Sequence, residues 1–169
     1  MPPKGRPMGT TNIETDNLRL VLQSPEDTRE QIDEMSPSER SELSAEWLAL
    51  VDSATSADPW IHRFTLVQQA DNAVVGSCGF KGPPTPEGVV EIAYGIHPEY
   101  QGKGYATEAA QALVSYSFRS NKVRAVQAHT RAEVNASTRV LTKCGFQRIG
   151  EVIDPEDGRV WRWEKQNDT

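Results

Sequence analysis

The stretch Ile96-His97-Pro98-Glu99-Tyr100-Gln101-Gly102-Lys103-Gly104-Tyr105-Ala106 is the part of this sequence best suited to chemistry. Two glycines stand between a run that reads as a strand and a run that reads as a helix. Glycine lets a backbone turn tightly and approach a ligand with no Cβ in the way. The helix start offers unpaired N–H groups and a partial positive charge. Together these make a cradle for a pyrophosphate, to which Lys103 adds a mobile cation. A P-loop would need Gly-Lys-Ser/Thr, and a dinucleotide fingerprint would need a third glycine where Thr107 stands. Taken bare, the segment has an ordinary strand-to-helix turn as its alternative reading.

The elements around it follow from periodicity. Leu18-Arg19-Leu20-Val21-Leu22 reads as a strand. Ser24-Pro25-Glu26-Asp27 starts a helix that runs to about Met35. Ser36-Pro37-Ser38-Glu39 is a capping box opening a second helix, with Leu43, Trp47, Leu48 and Val51 on one face and an end near Ala54. Strands follow around residues 61–67, 73–80 and 89–96, the first two joined by a turn at Ala70-Asp71-Asn72. A helix over 105–118 carries Ala106, Ala109, Ala110, Leu113 and Val114 on its apolar face. Next come a strand over 125–130, a helix over 135–144 stopped by Gly145, and strands over 146–152 and through Val160, Trp161 and Trp163, with a fraying polar end. The order is that of an α/β fold with helices on the faces of a sheet.

With 169 residues, 37% hydrophobic and 25% charged, the chain is long enough for one globular domain. A net charge of −6 argues against nucleic acid as the main partner. No stretch approaches the roughly 18 apolar residues of a membrane span, and no secretory signal is visible. The two cysteines, Cys78 and Cys144, then read as reduced, buried thiols of a cytoplasmic protein. Residues 1–12, rich in Pro, Gly and Thr, read as a flexible tail and 13–165 as the domain. His62 and His129 are isolated and His97 reads as a turn residue, so no metal site is expected.

Gln101-Gly102-Lys103-Gly104-Tyr105-Ala106, with Pro98 ahead of it, resembles the Gln/Arg-x-x-Gly-x-Gly/Ala signature of the GNAT superfamily of N-acetyltransferases. Asn135-Ala136-Ser137 through Lys143-Cys144-Gly145-Phe146 resembles that superfamily's Asn…Ser…Gly-Phe block. Glu14-Thr15-Asp16-Asn17-Leu18-Arg19-Leu20 resembles the opening strand of its RimJ/RimL type. The resemblance covers about residues 13–165. It implies a mixed, mostly antiparallel sheet splayed between two central parallel strands, 89–96 and 125–130. It also implies acetyl-CoA as cofactor, with the pantetheine arm bonded to the backbone of Tyr94, Gly95 and Ile96. The pyrophosphate would rest on Gln101, Gly102, Lys103, Gly104, Tyr105 and Ala106, with Thr107 beside them. The Asn135 side chain would contact pantetheine, and Lys143 is either a nucleotide contact or a solvated helix lysine.

Amine acetylation requires removal of a proton from the amine and delivery of one to the leaving sulfur. The family pattern makes Glu91 the candidate base, its pKa raised by partial burial. The alternative is a carboxylate on a solvated strand face. Ser137 is the candidate acid, or else a helix cap. Tyr94 reaches toward the acceptor or packs in the core. Trp47 and Trp60 are candidates to wall the acceptor cleft, and the acidic turn at 154–157 either steers a cation or is a soluble hairpin tip. The acceptor would be a peptide N-terminus or a small-molecule amine, and the assembly a monomer or homodimer. The competing expectation is a non-catalytic acyl-CoA-binding module.

Overall fold

The computed structural model of the protein describes residues 12–41, 43–155 and 158–167. Among them eight strands form one mixed sheet: β1 Asn12–Glu14, β2 Leu18–Leu22, β3 Phe64–Gln68, β4 Val74–Phe80, β5 Val89–Ile96, β6 Ala125–Arg131, β7 Gln147–Asp154 and β8 Gly158–Gln166. Their order across the sheet is β1-β2-β3-β4-β5-β6-β8-β7. Every neighbouring pair is antiparallel except β5 and β6, which are parallel and central.

The expected alternation in the first long strand holds: Leu18, Leu20 and Leu22 are buried while Arg19 and Val21 are half-buried. These leucines meet Phe64, Leu66, Val75, Phe80, Val90 and Ile92 in the main core, sealed by Ala109, Ala110 and Leu113 of helix α4, Tyr105–Arg119. Both cysteines are free and buried. Burial pushes the Cys78 thiol up to about 12 and raises that of Cys144, so neither is an activated nucleophile.

Helix α1, Pro25–Glu34, opens as its sequence dictates: the Ser24 hydroxyl accepts from the Asp27 amide at 3.0 Å. The capping box at Ser36 forms, with bonds of 2.8 and 3.3 Å exchanged with Glu39. It opens only the short helix α2, Pro37–Ser41. A third helix, α3, Ala45–Ser53, is opened anew by Ser44, whose hydroxyl accepts from the Trp47 amide. The single second helix expected from the apolar face is therefore two, because a side-chain oxygen at Ser44 competes with the continuing backbone ladder. Helix α5, Ala136–Lys143, ends at Gly145 as expected, with φ +89° and a Phe146 amide bonded back to the Leu141 carbonyl.

Two strand expectations change. β1 has only three residues, too few for a periodicity. The polar end of β8 does not fray: Glu164, Lys165 and Gln166 pair with Gln127, Val126 and Ala125. Asn12 already belongs to β1, while residues 1–11 of the expected tail lie outside the described residues. No helix is long and apolar enough to cross a membrane among the described residues.

The β1–β2 turn is pinned to α4 by one carboxylate. Glu108 accepts from the Asn17 amide at 2.9 Å, from the Asn17 side chain at 3.0 Å and from the Thr15 hydroxyl. These bonds outweigh its partial burial and hold its carboxyl below the ordinary 4.5. A lowered folded-state pKa gives stability that is present above 4.5 and is lost as pH falls through the folded value. Glu108→Ala should therefore cost about 1–3 kcal/mol at neutral pH in denaturant unfolding. The gap to wild type should narrow as the pH is taken below 4.5.

Candidate functional site

The site begins where two strands part. β5 and β6 pair through Val89↔Ala125, Val90↔Val126 and Glu91↔Gln127, and no further. β5 continues to Ile96 against β4, and β6 continues to Arg131 against β8. From residue 92 onward the facing edges of the two central strands have diverged, leaving β5 backbone without a strand neighbour on that side among the described residues.

A cavity of about 440 Å³ lies beside this gap. One wall is Tyr94, Gly95 and Ile96 at the free edge of β5. A second is the loop and first turn of α4, through Tyr100, Gln101, Gly102, Gly104, Ala106 and Thr107. The third is α5, through Ala136, Ser137, Arg139, Val140 and Lys143. Gln101 braces the loop: its side-chain amide donates to the Ile96 carbonyl at 2.9 Å. Gly102 and Gly104 have φ of +82° and +85°, a region costly for residues with a Cβ. A Cβ built on either would meet nothing within 4 Å, so their backbone is open to the cavity side.

The two helix starts at the cavity are treated differently by their sequences. Asn135 caps α5 with its own side chain, accepting from the Thr138 amide at 3.0 Å. Gly104 caps α4 and has no side chain to offer. The amide hydrogens of residues 105–107 therefore have no partner within the helix and point their partial charge toward the open end. Arg139 and Lys143, one helical turn apart on α5, add cations from the opposite wall. Such a pocket fits a diphosphate at one end and an extended amide-bearing chain along β5 at the other.

Most of the residues expected to hold the cofactor converge here, and three of those stand apart. Lys103 is exposed and does not line the cavity. Tyr105 turns away, its hydroxyl donating to Gln68 at 2.6 Å. Asn135 spends its side-chain oxygen on the cap. Arg139, unremarked in the sequence, lines the cavity; its four-residue spacing from Lys143 was the readable cue. Tyr94 is half-buried with the Ser137 hydroxyl beside it. Burial raises its phenol to about 12 although Ser137 pulls the other way, so the phenol stays protonated at neutral pH.

Glu91 occupies the other face of the sheet, since Tyr94 shares the parity of Val90 and Ile92 and Glu91 does not. Glu91 lines a second cavity of about 600 Å³ with Lys81, His129, Arg131 and Asp154. Its Oε2 lies 2.7 Å from His129 Nδ1 and 3.1 Å from Lys81 Nζ. Burial alone would raise its pKa, as expected from sequence, but the two partners more than offset this and hold the carboxyl below its ordinary value. The expectation of a raised pKa is thus corrected. His129, set aside in the sequence as isolated, is its closest partner, a juxtaposition visible only once β5 and β6 are in register.

Trp47 and Trp60 line neither cavity. Trp47 is 7% exposed, packs on Ile32 and Val51, and donates to the Ile61 carbonyl at 2.8 Å. Trp60 packs at a tilt against Phe80 and Tyr116, at centroid distances of 4.7 and 5.4 Å. Of the acidic turn, Asp154 lines the second cavity, and residues 156 and 157 lie outside the described residues.

A split central pair of parallel strands with an open helix start beside it defines an acetyltransferase-type fold. Residues 8–147 match the model of the acetyltransferase (GNAT) domain, and the chain belongs to that family. The uncharacterised N-acetyltransferase p20 of Bacillus licheniformis is 32% identical over 98 residues, 58% of this chain and 55% of that protein. The match thus spans about half the length of such curated relatives. The structure of a GNAT-family acetyltransferase from Bacillus anthracis superposes with a TM-score of 0.66 at 23% identity, covering 92% of this chain and 98% of that one. RimL, a ribosomal-protein α-N-acetyltransferase solved with coenzyme A, gives a TM-score of 0.70 at 16% identity, covering 94% and 99%.

The free edge of β5 depends on close approach from β4. A Cβ on Gly76 would lie 2.1 Å from the Gly95 carbonyl oxygen, whereas one on Gly95 meets nothing within 4 Å. Gly76→Ala should lose about 1–3 kcal/mol by overpacking. Gly95→Ala should melt close to wild type. Thermal melts of the two variants make the comparison.

Proposed function

We propose that the protein is a cytoplasmic, acetyl-CoA-dependent N-acetyltransferase of the RimJ/RimL type, acting on a peptide N-terminus or a small-molecule amine. The observation that carries this reading is the convergence of two features on one cavity. The uncapped start of α4, with its two glycines at positive φ, opens beside the stretch of β5 that β6 has left.

Bound acetyl-CoA supplies an activated acyl thioester. The chain's own groups do the rest. The amides of residues 105–107, with Arg139 and Lys143, hold the diphosphate. The edge of residues 94–96 orients the pantetheine arm. The Tyr94 phenol and the Ser137 hydroxyl hold a proton at the cavity floor, where a leaving sulfur needs one. The acceptor approaches from the opposite sheet face, and its proton leaves toward the Glu91 cluster.

Titration calorimetry with coenzyme A and a thiol-release assay with acetyl-CoA test the reading together. The acceptors for the assay are a peptide with a free N-terminus, spermidine, an aminoglycoside and free amino acids. Binding accompanied by acceptor-dependent thiol release is expected. Absence of binding sinks the reading, and binding with no release toward any acceptor leaves only an acyl-CoA binder. Ser137→Ala should lower kcat on the order of 100-fold with coenzyme A affinity unchanged. The double substitution Arg139→Ala with Lys143→Ala should instead weaken coenzyme A binding by about tenfold or more and flatten its salt dependence.

A further inference from the structure

The Glu91 carboxylate already has two donors on one oxygen, His129 Nδ1 at 2.7 Å and Lys81 Nζ at 3.1 Å. An ionised carboxylate only accepts, so the proton of that bond sits on Nδ1 of His129. A neutral imidazole with hydrogen on Nδ1 carries a bare lone pair on Nε2. Nε2 has no hydrogen-bond partner among the described residues, and the ring lines the 600 Å³ cavity with 31% of its side chain exposed. The sheet builds this arrangement. Glu91 stands opposite Gln127 in the last parallel pair, and His129, two residues on, projects from the same face. Arg162 is its partner across β8.

We propose that His129 is the catalytic base of the acyl transfer and that Glu91 is the residue that positions it. The inference rests on the acetyltransferase reading and concerns which atom takes the proton. As the acceptor nitrogen bonds to the acyl carbon and the carbon–sulfur bond breaks, the N–H proton of the acceptor moves to Nε2. The sulfur takes its proton at the Tyr94 and Ser137 hydroxyls on the other side of the gap, and solvent resets both ends. Glu91 selects the Nδ1–H tautomer, which aims the Nε2 lone pair at the cavity, and stabilises the imidazolium afterwards. Lys81 holds the carboxylate in place and ionised. The charged groups facing the ring are Glu91, Lys81, Arg131, Asp154 and Arg162.

Two measurements on the full chain decide it. The first is long-range ¹H–¹⁵N spectroscopy of the imidazoles, with His129→Asn giving the assignment. It should show hydrogen on Nδ1 and a bare Nε2 in wild type, and loss of that preference in Glu91→Gln. Hydrogen on Nε2 in wild type overturns the proposal whatever the acceptor. The second is thiol release with acetyl-CoA and a free-N-terminus peptide, spermidine or an aminoglycoside. His129→Asn should fall about 100-fold or more in kcat while its calorimetric affinity for coenzyme A stays at the wild-type value. A rate within about threefold of wild type in His129→Asn, well short of a general-base effect, leaves Glu91 as the base and overturns the assignment while the acyl-transfer reading stands. No release by wild type with any of these acceptors removes the reaction itself, and the proposal falls with it.

Discussion

The parting of β5 from β6 after Glu91 is the constraint on which the rest of the molecule turns. A sheet normally satisfies each inner strand on both edges. Here the central parallel pair holds for three residue pairs and then opens. Each strand keeps its outer partner, so the sheet survives: β5 stays on β4 through Ile96, and β6 stays on β8 through Arg131. The gap leaves a row of β5 backbone groups with no strand partner among the described residues. A chain-like ligand bearing amides is the complement such an edge calls for.

The period of two along β5 then divides the chemistry between the faces. Residues of one parity, Val90, Ile92 and Tyr94, look toward the face where α4 and α5 build the first cavity. Glu91, of the other parity, looks into the second cavity with His129 and Lys81. On the proposed reading, the proton taken from the acceptor and the proton given to the sulfur are handled on opposite faces. The sheet itself separates the two cavities.

Local patterns were legible in the sequence, and long-range register was not. The bounds of β5, the glycine loop, the start of α4, the cap at Ser24 and the stop at Gly145 all follow from residue types within a few positions. The convergence of Tyr94, Gly102, Gly104, Ser137 and Lys143 on one cavity was implied by the family resemblance and not by local residue types. β1 was too short to show a pattern. The break at Ser44 lost out to an apolar face that continues across it. The polar end of β8 looked frayed because its pairing with β6 spans some forty residues of chain. The pairing of Glu91 with His129 failed for the same reason: their spacing in sequence carries no period, and only the parallel register brings them within 2.7 Å.

The chain carries a net charge of −6, yet its first cavity presents open amides together with Arg139 and Lys143. The resolution is geometric. Helix α4 places an acid, Glu108, in its first turn, where a negative charge favours the helix but would repel a phosphate at the same end. Glu108 is drawn instead to Thr15 and Asn17 in the β1–β2 turn. Its charge is spent on joining the N-terminal strands to the helix, and the open amides beyond Gly104 are left uncontested. Arg139 and Lys143 then need only supply a local field from the facing helix. Net charge describes what the whole surface repels at long range and low salt. Within a Debye length of about 8 Å, the orientation of a few amides and the redirection of one carboxylate decide what binds.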